Sequence, residues 1–278
     1  MEVERELEAT LGARPSRLSA LHKSSFGPTY RADFDGAASL FVKTDSPTDR
    51  FYAEADGLEV LAASGAIGVP AVIAVSDRLL VLEYIESVPP PRGFQRRFGE
   101  ELASMHRVQA ARFGHRGDNF IGPLPQQNGA HDDFISFYRD ERLMPMAERA
   151  GVSLGAEGRA LLQRLIDELD DHLEMNEPPS LIHGDLWSGN FICAEGGRPM
   201  IFDPAVAFSD RELDLAMLEL FGGVGAEFYA GYDSIYPRRE GWAERQPLYQ
   251  LYYLLVHVAL FGGSYIASTK RALRAILG

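Results

Sequence analysis

The sequence predicts an α+β fold with two lobes, a small antiparallel sheet first and a larger helical part after it. Strand-like runs are concentrated before residue 84, whereas from residue 94 onward apolar residues recur mostly at helical spacing. Between these regions stands Pro89-Pro90-Pro91, a composition shift typical of a linker. We therefore expect an N-terminal lobe at residues 1–83, a hinge or linker at 84–91 and a C-terminal lobe at 92–278.

The N-terminal lobe is expected to contain two helices and five strands. Apolar residues at Val3, Leu7 and Leu11 predict a short helix over 2–11, and amphipathic spacing predicts a second over 50–63. The predicted strands are Arg17–His22, Thr29–Phe34, Ser39–Lys43, Val69–Val75 and Arg78–Tyr84. The first three are separated by short turn-like sequences, which favours an antiparallel sheet.

The C-terminal lobe is expected to be helical apart from one hairpin. The predicted helices are Phe94–Val108, Phe134–Leu143, Gly155–Met175, Glu212–Phe221, Trp242–Phe261 and Ser264–Leu277. Two apolar runs, Phe191–Ala194 and Pro199–Phe202, flank a Glu-Gly-Gly turn and predict the hairpin. The segment Gly114–Asn128 is rich in glycine, proline and asparagine, and we expect an ordered loop there.

Composition indicates an ordinary soluble globular protein. The 278 residues are 46% hydrophobic and 24% charged, with neither a signal-peptide pattern nor an apolar run long enough to span a bilayer, so we expect a cytoplasmic protein. The net charge of −13 argues against nucleic acid or an anionic membrane as a partner. The single cysteine, Cys193, excludes an intramolecular disulfide and a cysteine-based zinc cluster. The sequence does not indicate an oligomeric state.

The polar loop before the predicted hairpin carries the clearest functional pattern. Asp185 is followed five residues later by Asn190, and a second carboxylate, Asp203, comes directly after the hairpin. Asp185 can accept a hydroxyl proton, and the other two offer hard oxygen ligands to a Mg²⁺ that bridges nucleotide phosphates. Each residue alone could cap a turn or a helix. Their joint order and spacing favour a phosphotransferase site that uses ATP and Mg²⁺.

Two substitutions in this pattern distinguish it from a protein kinase. Protein kinases place the same roles on an H-R-D-x-x-x-x-N loop and a D-F-G turn. Here Gly184 stands for the arginine and Pro204 for the phenylalanine, which points to kinases of small molecules. Lys43 ends a predicted strand in the manner of the V-A-I-K lysine that contacts the α- and β-phosphates. Glu54, in the helix that follows, is expected to hold its ammonium by an ion pair.

Two further stretches are candidates for nucleotide contacts. The turn that contains Ser24 and Ser25 falls where kinases cover the phosphates, and its hydroxyl and backbone N–H groups could bind phosphate. It lacks G-x-G-x-x-G, so an ordinary hairpin turn is the alternative. In a bilobal kinase, the stretch where the predicted strand runs into Pro89-Pro90-Pro91 would be the hinge, and the backbones of Glu83 and Ile85 would contact adenine. An ordinary edge strand that runs into a linker is the alternative there.

Three blocks resemble one family of small-molecule kinases. HGDLWSGN at 183–190 resembles the signature of the fructosamine kinase (ketosamine-3-kinase) family, relatives of aminoglycoside phosphotransferases and choline kinases. DRELDLAM at 210–217 and LYQLYYLL at 248–255 are similar to later blocks of that family. The resemblance implies a bilobal protein-kinase-like fold. It also implies ATP-dependent phosphorylation, at the 3-position, of ketosamines such as ribulosamine, erythrulosamine or fructosamine, free or protein-bound, as in deglycation repair.

The resemblance also implies roles for other residues. In related kinases the aspartate at the position of Asp214 braces the catalytic loop through backbone hydrogen bonds, and we place His183 with it as a supporting residue. Trp187 separates this family from its relatives, and its indole could stack on a sugar face or only pack the loop. The segment at 114–128 looks like an insertion of the family, so Asp118 and Asn119 are candidates for the acceptor pocket.

Three alternatives remain open at this point. An aminoglycoside or aminoalcohol (choline-like) phosphotransferase would share the fold, metal and base and differ in acceptor. A macrolide-type or protein-directed kinase is disfavoured, because no phosphorylatable activation segment is evident after Asp203. A nucleotide-binding regulator without turnover is opposed by the intact set of Lys43, Asp185, Asn190 and Asp203, although the altered phosphate loop is compatible with it.

Overall fold

The computed structural model describes residues 2–24, 27–173 and 177–278. Five strands build the N-terminal sheet: β1 (Arg17–Ser24), β2 (Gly27–Asp33), β3 (Leu40–Thr44), β4 (Val72–Val75) and β5 (Leu79–Glu83). They form one antiparallel sheet in the spatial order β1-β2-β3-β5-β4. The predicted strands are confirmed, although β4 begins at Val72 rather than at Val69.

Two helices cover the two faces of this sheet. α1 (Glu2–Leu11) contributes Leu7 to the core on one face, and α2 (Arg50–Ala63) contributes Leu58 on the other. The interior strand β5 divides its apolar side chains between the two cores, with Leu79 and Val81 beside α1 and Leu80 and Leu82 beside α2. A strand buried on both faces carries a continuous apolar run instead of an alternating pattern, which explains the sequence of β5.

The C-terminal part is mainly helical, which confirms the predicted α+β fold. Its helices are α3 (Phe94–His106), α4 (Phe134–Phe137), α5 (Met144–Asp167), α6 (Leu169–His172), α7 (Glu212–Phe221), α8 (Ala226–Ile235), α9 (Trp242–Phe261) and α10 (Ser264–Leu277). A π-helical segment at Tyr138–Leu143 joins α4 to α5. The largest core lies among α5, α7, α9 and α10, while α3 packs against α8. In the part of the chain that the structure describes, no helix is long and apolar enough to cross a bilayer.

Short two-stranded ladders hold the polar loop in place. They pair β6 (Asn119–Ile121) with β7 (Leu124–Gln126), β8 (Ser180–Ile182) with β11 (Ala207–Ser209), and β9 (Phe191–Ala194) with β10 (Arg198–Ile201). The β9–β10 pair is the predicted hairpin. β8 ends directly before His183, and β9 begins directly after Asn190. The eight residues 183–190 of the polar loop are therefore held at both ends by strands.

Several predicted elements of the C-terminal part need correction. The segment 114–128 was expected to be a loop, but it contains the β6–β7 hairpin. The helix predicted over 155–175 belongs to a longer one that begins at Met144, breaks at Gly155 (φ 69°) and ends at Asp167, and Met175 lies outside the described residues. β8, β11 and α8 were not predicted, because three-residue strands carry no measurable periodicity and α8 has Gly231 at its centre.

Candidate active site

A cavity of about 1040 Å³ lies between the sheet and the helical part. Five residues that the sequence singled out line it: Lys43, Glu54, Asp185, Asn190 and Asp203. They come from β3, α2, the polar loop and the segment after β10, and they are separated by up to 160 positions in the chain. The fold therefore brings to one cavity the residues that the motif predicts to act together.

Lys43 is held between two carboxylates. Its Nζ lies 2.6 Å from Glu54 Oε1 and 2.5 Å from Asp203 Oδ1. Burial disfavours the ammonium, but the Asp203 and Glu54 charges outweigh it and raise the pKa of Lys43. Burial raises the pKa of Glu54, with the Lys43 ammonium acting against it. One cation shared by two carboxylates leaves a net negative charge here, as expected of a site that attracts a further cation.

Asp203 owes its position to an unusual backbone conformation. It follows β10 and has φ of 58°, the only positive φ among the described residues other than glycine. Directly before it, the Phe202 backbone N–H donates to the Asn190 carbonyl oxygen at 3.1 Å, which ties the end of the hairpin to the polar loop. A left-handed conformation at a non-glycine residue costs about 1–3 kcal/mol and is concentrated at functional sites. The fold thus keeps a strained backbone at the point where a carboxylate meets Lys43.

Asp185 lies close to Asn190 in the same loop. The Asn190 Nδ2 group donates to the Asp185 backbone oxygen at 2.8 Å and to its Oδ2 at 3.2 Å. Burial, together with the nearby Asp203 charge, raises the pKa of Asp185 to about 7, against the opposing effect of the Asn190 hydrogen bond. A carboxylate with a pKa near neutrality is suited to accept a proton and release it again.

Asp214 of α7 holds the backbone of the polar loop by two hydrogen bonds. Its Oδ2 accepts from the His183 backbone N–H at 2.7 Å, and its Oδ1 accepts from the Gly184 N–H at 2.8 Å. His106 of α3 also contacts Asp214, with Nε2 at 3.2 Å from Oδ2. All four groups are buried, so these bonds fix the backbone that leads into Asp185.

Glycine is required at position 184. Its φ is 83°, and a Cβ built there would lie 2.1 Å from the Ala205 backbone oxygen. The loop therefore passes against the segment after Asp203 with no room for a side chain. The glycine that replaces the kinase arginine is thus a steric requirement of this chain.

His183 joins the loop to the hairpin as a neutral imidazole. Its Nε2 lies 2.9 Å from the Phe202 backbone oxygen, so Nε2 carries the proton and donates. Its Nδ1 then accepts from the Asp185 backbone N–H at 3.2 Å. Burial lowers the pKa of His183, which agrees with this tautomer. The imidazole therefore orients Asp185 through its backbone, and its side chain is not aimed into the cavity.

The predicted hinge also lines the cavity. Glu83, Tyr84 and Ile85 all border it. The Glu83 N–H donates to the Ala71 oxygen at 2.9 Å, whereas no hydrogen bond joins the backbone of Ile85 to another described residue. Ile85 can therefore offer its main-chain groups to a ligand. Of the two predicted phosphate-binding serines, Ser24 ends β1, and Ser25 lies outside the described residues.

The three candidate acceptor residues differ in their exposure to the cavity and in their hydrogen bonds. Trp187 lines the cavity with its side chain 38% exposed, and its indole lies over Gly189, where a Cβ would approach within 2.3 Å of the ring. Asn119 borders the cavity, but its amide donates to the Val206 oxygen and accepts from Gln126. Asp118 does not border it; this exposed residue accepts from the Asn128 backbone N–H. Of these three residues, Trp187 is the one that both lines the cavity and has no side-chain hydrogen bond to another described residue.

A second contact between α2 and the C-terminal part was missed by sequence reasoning. Asp56, two residues after Glu54, accepts from His115 Nε2 at 2.8 Å and forms an ion pair with Arg116. One residue further on, a Cβ at Gly57 would lie 3.0 Å from Pro204. These contacts fix the helix that carries Glu54 to the segments beside the polar loop. No local pattern indicates them, because the partners of Asp56 are 59 and 60 residues away.

The oxygen atoms at the site fit a hard cation. Asn190 uses Nδ2 for hydrogen bonds, while its Oδ1 accepts none from the described residues. Asp203 uses Oδ1 for Lys43, and its side chain is 43% exposed. Within the described ranges no cluster of three or more histidine, cysteine or acidic side chains forms a complete metal site. One carboxylate and one amide suit Mg²⁺, which is commonly held by few protein ligands together with substrate phosphates.

Comparison with known proteins identifies the family. The sequence model of the fructosamine kinase family matches residues 2–278. The chain belongs to the fructosamine kinase family. A probable ketoamine kinase of Enterococcus faecium is 40% identical over 227 residues, which cover 77% of this chain and 78% of that protein. A probable ketoamine kinase of Synechocystis is 38% identical over 253 residues, covering 87% and 84%.

Solved structures agree with the family and the fold. A crystal structure of a "putative fructosamine-3-kinase" from Thermobifida fusca is 36% identical, has a TM-score of 0.92, and is matched over 99% of this chain and 98% of that one. More distant matches show the fold alone. They include a gentamicin complex of the phosphotransferase APH(2")-IIa, with a TM-score of 0.62 at 14% identity, matched over 99% and 95% of the two chains. The predicted family and protein-kinase-like fold are thus confirmed, and the chain is a phosphotransferase with an alcohol acceptor.

Proposed function

We propose that the protein transfers the γ-phosphoryl group of ATP to a sugar hydroxyl of a ketosamine. The observation that carries this proposal is the convergence of Asp185, Asn190 and Asp203 with the Lys43–Glu54 pair on one cavity. A base, two oxygen ligands for a cation and a fixed ammonium are the parts that phosphoryl transfer requires. The family gives the acceptor class, and its relatives are described as ketoamine kinases.

Asp185 is the proposed base. It accepts the proton of the acceptor hydroxyl as that oxygen bonds to the γ-phosphorus and the bond from this phosphorus to the β–γ bridging oxygen breaks. The pKa of Asp185, raised to about 7 by burial, allows it to take up this proton near neutral pH. His183 and Asp214 hold the backbone on which it stands, so their contribution is to its position.

Lys43, Asn190 and Asp203 are the proposed electrostatic partners of the phosphates. Lys43 contacts the α- and β-phosphates, and Glu54 keeps its ammonium in place. Asn190 and Asp203 would hold Mg²⁺, which neutralises phosphate charge when it is bound. Support for a nucleotide and a divalent cation comes from a kinase of the same fold that was solved with AMP-PNP and Ca²⁺. Its TM-score is 0.62 at 16% identity, and the match covers 99% of this chain and 92% of that one.

The nucleotide base is assigned to the hinge end of the cavity. Ile85, and Glu83 through its carbonyl, would provide the main-chain contacts, and the serines at 24 and 25 would lie near the phosphates. The lobe boundaries at residues 83 and 91 form part of this proposal, because they put the hinge between the two lobes. A cytoplasmic location also remains part of it, since ATP is the expected phosphoryl donor.

Trp187 is the proposed acceptor contact. It stands two residues after Asp185, lines the cavity and keeps over a third of its surface exposed. An indole there can stack on a sugar face and attract the protonated amine of a ketosamine. Trp187→Ala is expected to raise the acceptor KM while leaving the KM for ATP unchanged. Equal values of both constants in this variant and in the wild type would remove the assignment.

The experiment that tests the proposal measures ATP consumption with Mg²⁺ against a panel of acceptors. The panel contains ribulosamine, erythrulosamine and fructosamine derivatives of lysine, with kanamycin and choline for comparison. We expect turnover with ketosamines and a product heavier by one phosphoryl group at the 3-hydroxyl. Turnover with kanamycin or choline alone would overturn the acceptor class. A thermal shift with Mg·ATP but no turnover on any acceptor would instead identify a nucleotide-binding regulator.

A further inference from the structure

A row of aromatic rings extends from the catalytic loop onto the surface of the helical part. It consists of Trp187, Phe221 at the end of α7, His257 and Phe261 of α9, and Tyr265 of α10, and we call it the aromatic strip. The ring centroids are 6.3 Å apart for Trp187 and Phe221 and 4.7 Å for Phe221 and His257. From His257 the next rings follow at 5.6 Å and 4.8 Å.

The strip is exposed at both ends. Trp187 is 38% exposed, and Phe261 at the far end is 55% exposed. The other three rings are partly buried. Phe221 and Tyr265 rest on the main helical core. Packing against this core therefore fixes the inner side of the Phe221 and Tyr265 rings, while their outer side faces solvent. Exposed large apolar groups that adjoin one another, as opposed to scattered single ones, are typical of a binding surface.

His257 adds a polar group in the middle of the strip. Its Nδ1–H donates to the Tyr253 backbone oxygen at 2.8 Å, and its other nitrogen, Nε2, has no hydrogen-bond partner among the described residues. Burial lowers the pKa of His257, so the neutral ring presents an acceptor nitrogen near neutral pH. A strip of aromatic faces around one acceptor nitrogen suits an apolar chain that carries, or follows, a protonated amine.

The position of the strip selects the part of the substrate that would reach it. Among the residues that line the cavity are the hinge residues Glu83 and Ile85, to which the nucleotide base is assigned, and Trp187, which stands two residues after the proposed base Asp185 and contacts Phe221 of the strip. In a ketosamine the reacting sugar carries its amine at one end, and the substituent of that amine must leave the cavity. Since the nucleotide occupies the hinge side, the substituent leaves past Trp187, where the strip begins.

We propose that the aromatic strip binds the substituent on the ketosamine nitrogen. The site takes an aliphatic or aromatic chain attached to a secondary ammonium, as in a glycated lysine side chain or an arylalkylamine. This inference rests on the proposed ketosamine kinase activity and adds a specificity surface outside the sugar pocket. The ammonium lies against the Trp187 indole, and the chain follows the rings of Phe221, His257 and Phe261.

The test compares acceptors that share one sugar and differ in the nitrogen substituent. Ribulosamines of methylamine, hexylamine and phenethylamine are measured at saturating Mg·ATP with the wild type and with Phe261→Ala. We expect the wild type to show a KM about five- to tenfold lower for the two longer substituents than for methyl, as burial of a chain against exposed rings predicts. In Phe261→Ala, the KM for the methyl compound should exceed the KM for each longer compound by less than about twofold. The KM for the methyl compound and the KM for ATP should be unchanged.

Two further variants make the comparison specific. Tyr52→Ala removes an aromatic ring on α2 that is 48% exposed, similar to Phe261, and lies outside the strip, so its KM ratios should match those of the wild type. Phe261→Leu keeps the end of α9 apolar and serves if the alanine variant folds poorly. It should retain more of the preference for hexylamine than of the preference for phenethylamine, because the leucine provides apolar surface without a ring.

The possible failures are distinguishable. Equal KM values for all three acceptors in the wild type, with normal turnover, would overturn this inference and leave the proposed function intact. Turnover of no ketosamine at all would overturn both. If sedimentation velocity showed a dimer that Phe261→Ala dissociates, and the substituent had no effect on KM, the strip would be a contact between two copies of the chain.

Discussion

Replacement of Asp185 by asparagine should strongly reduce turnover and at the same time stabilise the ligand-free protein. The Asp185 side chain is partly buried beside the charge of Asp203, and this burial is the larger reason that its pKa rises from 3.8 to about 7. Asparagine has nearly the same shape and can still accept the Asn190 hydrogen bond through its oxygen. The substitution therefore removes both a charge that the fold tolerates poorly and the proposed catalytic base.

The size and sign of the effect follow from proton linkage. The pKa of Asp185 in the folded state lies above that of the unfolded chain, so the wild type loses stability as the pH rises from about 4 to 7. A pKa difference of about three units corresponds to about 4 kcal/mol above pH 7. Because the asparagine amide also needs some desolvation, we expect a gain of about 2–4 kcal/mol at pH 8. The gain should be roughly half as large at pH 5.5 and vanish near pH 4.

Urea denaturation of the metal-free, nucleotide-free proteins at pH 8 and pH 5.5 measures this gain directly. A useful control is Asp233→Asn. Burial acts to raise the pKa of Asp233, but Arg238 lowers it by more, so the net shift is downward. The change in stability should therefore have the opposite sign to that of Asp185→Asn, and the Asp233→Asn variant should be less stable than the wild type at pH 8. Turnover of Asp185→Asn, measured at pH 8, should fall by about 10²-fold or more.

Two results would refute the reasoning about Asp185. A gain in stability that is the same at both pH values would show that charge burial is not its cause. An asparagine variant no more stable than the wild type at pH 8 would show that the folded protein solvates or compensates the carboxylate. Retained turnover would separately remove Asp185 as the base.

Three other substitutions test the surrounding framework. Gly184→Ala should lower the free energy of unfolding by about 3 kcal/mol or more, since its Cβ would meet the Ala205 oxygen at 2.1 Å; wild-type stability in urea would contradict this. Lys43→Met should reduce kcat/KM for ATP by about 10²-fold or more while the acceptor KM changes little, as steady-state kinetics would reveal. Asp56→Asn should raise the KM for ATP by about three- to tenfold by loosening α2, and an unchanged value would exclude Asp56 from positioning Glu54.

Much of this architecture could be predicted from local sequence. The bounds of α2, α7, α9 and α10 agree with the prediction, because apolar periodicity and flanking glycines or polar turns define them. The Lys43–Glu54 pair follows from a strand-end lysine and a helix of known phase. The motif at 183–190 and Asp203 were recognisable as a candidate phosphotransferase site because phosphoryl transfer fixes the order of such residues.

Other features depend on tertiary contacts that leave no local signal. The strands β8 and β11 are three residues each and exist because they pair with one another across the polar loop. Asn119, predicted as an acceptor contact, borders the cavity, and its amide also joins the β6–β7 hairpin to Val206. The positive φ of Asp203 likewise arises from the connection between the hairpin and the loop. Long-range hydrogen bonds decide such positions, and sequence periodicity does not report them.

The central claim is tested most directly by the product of one reaction. The ribulosamine of Nα-acetyl-lysine would be incubated with Mg·ATP and the protein, and the product examined by mass spectrometry and proton–phosphorus correlation NMR. We predict one added phosphoryl group whose phosphorus couples to the proton on carbon 3 of the sugar, and its absence with Asp185→Asn. An unmodified ketosamine, alongside a phosphorylated kanamycin or choline in parallel reactions, would contradict the assignment of this cavity to ketosamines.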